Sequence, residues 1–374
     1  MTGFQKISNF NSPYKLVANH IARRAGSDVQ KRIDTLKIGQ KMQDLPEELW
    51  HDSFKFYLKH DPNRQGGPNL RIIRLDPDKP SLTVTGYIFN KFVHPYENRF
   101  ITVREAARLQ GFPDDMKFEG TLTSTQLQVG NAVPVPLAEA VFKFLVQQAK
   151  SLGFENRSLK AFSLFSGAGA MDIGAYLTGS IETKIALDSW SDACATLRGF
   201  FGGHIYVLEN DISTVENPLS LWQKFSGEVE KPDIIFGGPP CQAFSQAGKQ
   251  KGFQDDRGGM IYEFLRFVQD LYPPFFVMEN VSNLKGIAGG TLYQQIGDKM
   301  ANLGYNISVG VLLAADFGTP QLRRRLFFIG CRKDIGSIRL PLSTHSPELE
   351  LFGLLPYVTV GKAFVDLPEA EFSR

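Results

Sequence analysis

The run Lys160-Ala161-Phe162-Ser163-Leu164-Phe165-Ser166-Gly167-Ala168-Gly169-Ala170-Met171-Asp172 passes from an apolar strand through a glycine-rich turn into the start of a helix. Downstream of it, short apolar runs alternate with amphipathic stretches. Strands are predicted at Ala161–Phe165, Lys184–Asp188, His204–Leu208, Asp233–Phe236, Phe275–Glu279, Asn306–Leu313 and Leu326–Gly330. Helices are predicted between most of them, at Ile173–Leu177, Ser191–Phe200, Met260–Tyr272 and Thr291–Leu303. Strands and helices at this spacing build βαβ units, hence an α/β fold with an open, mostly parallel sheet and helices on both faces. Such sheets receive ligands at the carboxyl ends of their strands, so the loops after the strands carry the chemistry.

Upstream the pattern differs. Residues 12–82 are polar and irregular, with a turn at Gly66-Gly67-Pro68. Thr102-Val103-Arg104-Glu105 is a capping-box signature for a helix through Leu109, ended by Gly111-Phe112-Pro113-Asp114. Val135–Lys150 reads as a second amphipathic helix, after the turn-rich Gly130-Asn131-Ala132-Val133-Pro134.

The 374 residues are 43% hydrophobic, enough for a large core and two domains. No apolar run approaches the roughly 18 residues of a membrane span, and residues 1–15 lack the apolar core of a signal peptide. A cytoplasmic protein is expected, with no membrane partner. Three cysteines, Cys194, Cys241 and Cys331, stand far apart and indicate neither a disulfide framework nor a metal site. The net charge is only +2, but basic residues concentrate at Lys15–Lys41 and again from Arg323 to Arg339. Such stretches suit either a polyanion-facing surface or solvated helix faces.

The glycine turn after the first strand is how a nucleotide-like cofactor is received, although a tight packing turn looks the same. Asp172 stands where a dinucleotide fingerprint wants its third glycine, which disfavours NAD. Asp188 ends the second strand, where a carboxylate accepts hydrogen bonds from ribose hydroxyls. Asp211-Ile212 follows the third, suited to adenine. Each acid alone reads equally as a helix cap. Together, and without a pyrophosphate loop, they point to S-adenosylmethionine.

Cys241 follows the fourth strand in Gly237-Gly238-Pro239-Pro240-Cys241-Gln242, a stiff loop that presents a thiol at a strand end. Residues 243–253 continue it as a small, polar segment suited to closing over a substrate. The fifth strand ends at Glu279-Asn280-Val281, and burial of such a carboxyl favours its neutral form. Gln321-Leu322-Arg323-Arg324-Arg325 enters the last strand, and alternation sends Arg323 and Arg325 to one face. These parts fit one reaction. C5 of cytosine is too weak a nucleophile for a sulfonium methyl until a thiolate adds at C6. An acid at N3 and an arginine at the carbonyl oxygen stabilise the charge that develops. A base in a duplex must be flipped out to be reached.

These residues resemble the DNA cytosine-5 methyltransferase family. Phe165-Ser166-Gly167-Ala168-Gly169 is similar to its first cofactor motif, and Gly238-Pro239-Pro240-Cys241-Gln242 to its nucleophile motif. Glu279-Asn280-Val281 and Gln321-Leu322-Arg323-Arg324-Arg325 are similar to its Glu-Asn-Val and Gln-x-Arg-x-Arg motifs. Residues 104–113 and Val129-Gly130-Asn131-Ala132-Val133-Pro134 resemble its last two motifs. The resemblance implies a class I S-adenosylmethionine-dependent methyltransferase, Rossmann-like, with a small irregular target-recognition domain. It implies Cys241 as nucleophile beside Gln242, Glu279 at N3, and Arg325 and Arg323 holding the pyrimidine and the catalytic centre. It implies a cofactor pocket of Phe165, Gly167, Gly169, Asp188, Asp211, Ile212, Gly238, Pro240 and Asn131, and no metal. Ser163, Ala170 and Asp188 depart from the family's usual Asp, Gly and Glu.

The pair of motifs at 104–134 normally comes last and here comes first, as in a circular permutation. The implied domains are 1–80 as part of the target-recognition domain, 81–150 as permuted catalytic motifs, 151–335 as the core, and 336–374 as the remainder of the recognition region. Double-stranded DNA is the implied partner of a monomer, at the nucleoid, with a cognate restriction endonuclease beside it. A tRNA cytosine-5 methyltransferase and a catalytically silent DNA-binding relative are the alternatives.

Overall fold

In the computed structural model, residues 17–60, 72–86, 91–155, 157–240, 259–348 and 353–373 are described. They form two compact units. The first contains residues 1–131, 318–323 and 345–374, and the second residues 132–317 and 324–344. Residues 81–131 and 318–323 thus fall in the first unit and 336–344 in the second.

The second unit holds a seven-stranded sheet of β1 (Leu159–Leu164), β2 (Ile181–Asp188), β3 (Tyr206–Glu209), β4 (Ile234–Gly237), β5 (Phe275–Val281), β6 (Tyr305–Leu313) and β7 (Arg324–Arg332). Their order is β6-β7-β5-β4-β1-β2-β3. The pairs from β5 to β3 are parallel, while β7 runs antiparallel to both β5 and β6. This is the class I S-adenosylmethionine-dependent methyltransferase fold. The order reverses between β1 and β4, which opens a crevice at their carboxyl ends.

Among the described residues, six helices flank the sheet: α1 (Val135–Ser151), α2 (Ala170–Leu177), α3 (Ser191–Phe201), α4 (Pro218–Ser226), α5 (Gly259–Leu271) and α6 (Thr291–Asn302). Strand alternation builds two cores. Ala161, Phe236, Val277, Phe327 and Ile329 face Leu137, Val141, Phe142 and Leu145 of α1. Their sequence neighbours Phe162, Ile235, Phe276, Met278 and Phe328 face Phe264, Leu265 and Val268 of α5 and Ile296 of α6. A period of two with apolar residues on both faces is what a sheet covered on both sides requires. Residues 122–151, two helices with a short break, contain an 18-residue window that is apolar enough by length and composition alone to cross a membrane. That window is 67% buried.

The first unit is less irregular than its sequence suggests. Helices Ser27–Thr35 and Asp52–His60 bring Ile33 and Phe54 into a small core with Leu36, Met42, Leu45, Ile72, Val93 and Phe100. The capping box at Thr102 forms with both bonds, starting helix Val103–Leu109. In this unit Ile21–Ala22 pairs in parallel with Glu371–Phe372.

Candidate active site

In the second unit, β1 ends at Leu164 and the chain turns sharply. Phe165 adopts φ 53°, a left-handed conformation uncommon for a bulky residue. Gly169, at φ 83°, caps α2, and a Cβ there would lie 2.0 Å from Leu197 Cδ1. Where a Cβ on Gly167 would project, no atom lies within 4 Å, so the turn has open space on that side. The Gly167 amide donates to Asp188 Oδ2 at 2.7 Å, and the Trp190 amide to Asp188 Oδ1 at 2.8 Å. Burial raises the Asp188 carboxyl above its ordinary range, and those amides oppose it. An open glycine turn with a fixed carboxylate at the next strand end fits the adenosine and ribose of S-adenosylmethionine.

Asp211 is exposed and caps the turn Ile212–Thr214, its Oδ1 accepting from the Ser213 amide at 2.9 Å and hydroxyl at 2.7 Å. These bonds hold its carboxyl below the ordinary range. Ile212, expected against adenine, is only 3% exposed and packs into the α5-side core. Gly238 is half-buried and Pro240 exposed at the end of β4. Asn131, exposed, ends helix Leu122–Asn131 of the first unit.

The glycines that open the thiol loop are there for close approach. A Cβ on Gly237 would lie 1.9 Å from the Leu164 carbonyl oxygen, and one on Gly238 2.7 Å from Glu279 Oε2. Asn280, 3% exposed, donates Nδ2 to the Pro239 carbonyl at 3.0 Å and so fastens the loop to β5. Cys241 and Gln242 lie outside the described residues, as does the segment through residue 258. The other two thiols are no substitute, because burial pushes Cys194 up to about 12 and Cys331 up to about 11.

Glu279 and Arg325 are brought together by strand register. Phe327 pairs with Glu279 and Arg325 with Val281 in the β5–β7 ladder, which sets Arg325 Nε 2.7 Å from Glu279 Oε1. Burial lowers the Arg325 guanidinium from its ordinary value, and Glu279 opposes that. The carboxyl thus has one oxygen on a guanidinium and the other against Gly238. Gly238→Ala is expected to cut methyl transfer about a hundredfold with the melting temperature little changed, because displacing a reacting group by about 1 Å costs that much. Comparing kcat with a thermal melt checks it.

Arg323 belongs to the first unit and Arg325 to the second. Arg323 is 1% exposed, and it donates to the Val84 carbonyl at 2.5 Å and the Gly130 carbonyl at 2.9 Å, all within the first unit. Gln321, two residues earlier, accepts from the Val84 amide at 2.8 Å and donates to Leu109 O at 3.1 Å and Gln110 Oε1 at 2.9 Å. The strand Gln321–Leu322 pairs with Ser81–Leu82. Alternation does turn Arg323 inward and Arg324 outward, but Arg323 binds backbone. The second basic stretch is therefore no continuous basic face, since Arg332 also pairs with Asp334. Arg323→Met is expected to destabilise the first unit by about 3 kcal/mol, since it leaves two buried carbonyls unpaired. Urea denaturation followed by tryptophan fluorescence reads it, Trp50 lying in this unit.

Sequence reasoning missed Gln321, Asn280 and Asp172 as site residues. Asp172 is fully buried, and burial pushes its carboxyl up to about 7 from an ordinary 3.8, with Asp188 adding and Ser163 opposing. A folded value above the unfolded one means that this group weakens the fold as pH rises from about 4 to about 7, by up to about 4 kcal/mol. Asp172→Asn is therefore expected to raise Tm more at pH 8 than at pH 5. A pH-independent change in Tm would contradict the assignment. Among the described residues, no group of three or more His, Cys, Asp or Glu is placed to hold a metal ion.

The model of the C-5 cytosine-specific DNA methylase family matches residues 6–147 and 159–371. Type II methyltransferase M.AquIA of Picosynechococcus sp. is 40% identical over 227 residues, covering 56% of this chain and 90% of that protein. Type II methyltransferase M.NgoFVII of Neisseria gonorrhoeae is 38% identical over 60% of this chain. The chain spans 58% of the length of that relative. Among solved structures, Dnmt2 methyltransferase of S. pombe aligns over 49% of this chain and 52% of its own, at 20% identity and TM-score 0.39. With a family model matched along nearly its whole length, the chain belongs to the C-5 cytosine-specific DNA methylase family.

Proposed function

We propose that the chain transfers a methyl group from S-adenosylmethionine to C5 of a flipped-out cytosine in duplex DNA, as the modification enzyme of a restriction-modification system. The observation that carries this reading is the Glu279–Arg325 pair, 2.7 Å apart and set against Gly238 at the root of the thiol loop. The names of the relatives, Type II methyltransferases, support it. The place of action is the cytoplasm, on the nucleoid.

Bound S-adenosylmethionine supplies an electrophilic methyl on a sulfonium. The residues do the rest. Cys241, as thiolate, adds to C6 of cytosine and forms a C–S bond, and the ring electrons move toward N3 and C5. As Arg325 moves from Glu279 to the pyrimidine carbonyl oxygen, the Glu279 carboxylate takes up a proton from solvent and delivers it toward N3. C5 then takes the methyl, a base removes the C5 proton, and the thiolate leaves. Asn280 and the two glycines hold the loop at β5, and Asp188 and the glycine turn orient the cofactor.

A circularly permuted order belongs to the same reading. Its supports are the family match in two stretches that break between 147 and 159, and the short connection from α1 to β1. The pairing of Ile21–Ala22 with Glu371–Phe372 is a third support.

Expression in a host with no cytosine methylation, followed by bisulfite sequencing, tests the function. Protected cytosines at one recurring sequence are expected. A fully converted genome, with methylation of tRNA by the purified chain, would turn the reading to the RNA alternative.

A further inference from the structure

Asp172 stands in the first turn of α2, three residues past Gly169, with 0% exposure. Neither of its carboxyl oxygens has a hydrogen-bond partner among the described residues. An ionised carboxyl in such a place is costly unless a positive charge comes near. Among the described residues, the elements packed around it offer none. On β2 the acting group is Asp188, itself acidic. On α1, Glu139 is held by Lys143 at 2.5 Å, and Lys150 lies in the last turn. Lys160 on β1 is engaged by Glu228, and Lys184 on β2 by Glu182 and Glu228. On α3, Arg198 pairs with Glu209 at 3.3 Å, and Asp192 adds another acid. The Ser163 hydroxyl, which also meets Ser166 at 2.9 Å, carries no charge and only partly offsets the burial.

The missing positive charge is one that the proposed cofactor carries. We infer that Asp172 is the counter-charge for the methyl donor, partly protonated in the free protein and fully ionised when the sulfonium cation binds, so that it distinguishes the charged donor from its uncharged product. This rests on the proposed use of S-adenosylmethionine. The step is a proton transfer alone: the carboxyl O–H bond breaks, its electron pair stays on oxygen, and the proton passes to solvent. With the product, whose sulfur has no charge, the carboxyl keeps its proton and the ligand is held less tightly.

Titration calorimetry of the full chain with S-adenosylmethionine and with S-adenosylhomocysteine, in buffers of different ionisation enthalpy, reads the proton directly. At pH 7 the donor is expected to release about 0.3–0.5 proton per site more than the product. The donor-to-product affinity ratio is expected to rise about fivefold from pH 6 to pH 8. In Asp172→Asn both differences are expected to shrink to those of the ligands' own amino groups, and Asp172→Ser serves if the Asn protein does not fold. The wild-type proton count decides by itself if neither does. Equal proton release by donor and product in the wild type overturns the inference, and so does an Asp172→Asn protein with the wild-type pH dependence. A chain that binds neither ligand overturns the cofactor reading instead.

Discussion

A Cys241→Ala protein is expected to lose methyl transfer by a factor of about 10⁴ or more while still binding duplex DNA. The size follows from the chemistry. Without addition at C6, C5 of cytosine has no electron pair to offer the methyl, and no neighbouring side chain supplies one. Neither remaining thiol can take over, since Cys194 and Cys331 are buried, with thiols pushed up to about 12 and about 11. Transfer of labelled methyl measures the rate, and a gel shift measures binding. A 5-fluorocytosine duplex adds a second readout, because it traps the C6 adduct on wild type and is expected to leave the variant free on a denaturing gel. Undiminished transfer by Cys241→Ala would sink the mechanism.

Glu279→Gln is expected to lower kcat by about 10³ with a smaller change in KM. Gln keeps the shape that packs against Gly238 but cannot deliver a proton to N3. It also leaves Arg325, whose side chain is 13% exposed, without its ion-pair partner. That loss costs about 3 kcal/mol of stability, so activity and stability fall together in the single variant. Adding Arg325→Met separates them. The double variant is expected to regain much of the stability, since neither charge is then buried alone, and to regain none of the activity. If activity returned with stability, Glu279 would be a structural partner of Arg325 and not the acid.

The parts of this molecule that were legible in its sequence are those specified locally. The two-sided apolar runs of β1, β4 and β5 and the glycine turn between β1 and α2 are short-range patterns, and all seven strands fall where the alternation puts them, within a few residues. The helix at 103–109 was legible because Thr102 and Glu105 cap each other. Helix Ser27–Thr35 was not, because Gly26 at its start offers no capping side chain. Helix Leu122–Asn131 contains three threonine or serine residues, a glycine and an asparagine, which favour other conformations, and its burial overrides them. Helix Pro218–Ser226 had its signals, with Asn217 capping Ser220 and proline at the first position, and those were readable.

The sequence offers candidate site residues as types, whereas their geometry is not legible in it. Glu279 and Arg325 are joined by a strand register that only the folded sheet defines. Arg323 and Arg325 look equivalent in a run of three arginines. One ends on backbone carbonyls and the other on a carboxylate, because the chain leaves one sheet at Leu322 and enters another at Arg324. The lone carboxyl of Asp172 looks in the sequence like an ordinary first-turn acid.

The bonds that join residues 20–22 to residues 368–373 set an order in time. His20 bonds to Thr102 at 2.8 Å and to the carbonyl of Pro368 at 2.8 Å, and the Ser373 amide bonds to Ala22. At about 5–20 residues per second of synthesis, residue 20 waits roughly 20–70 s for its partner at 368. During that interval the ribosome has already delivered everything the second unit needs through Thr344, while the first unit stays open at its seam. The seam of the first unit therefore closes only after the segment around Pro368 has been made, later than every residue that the second unit contains.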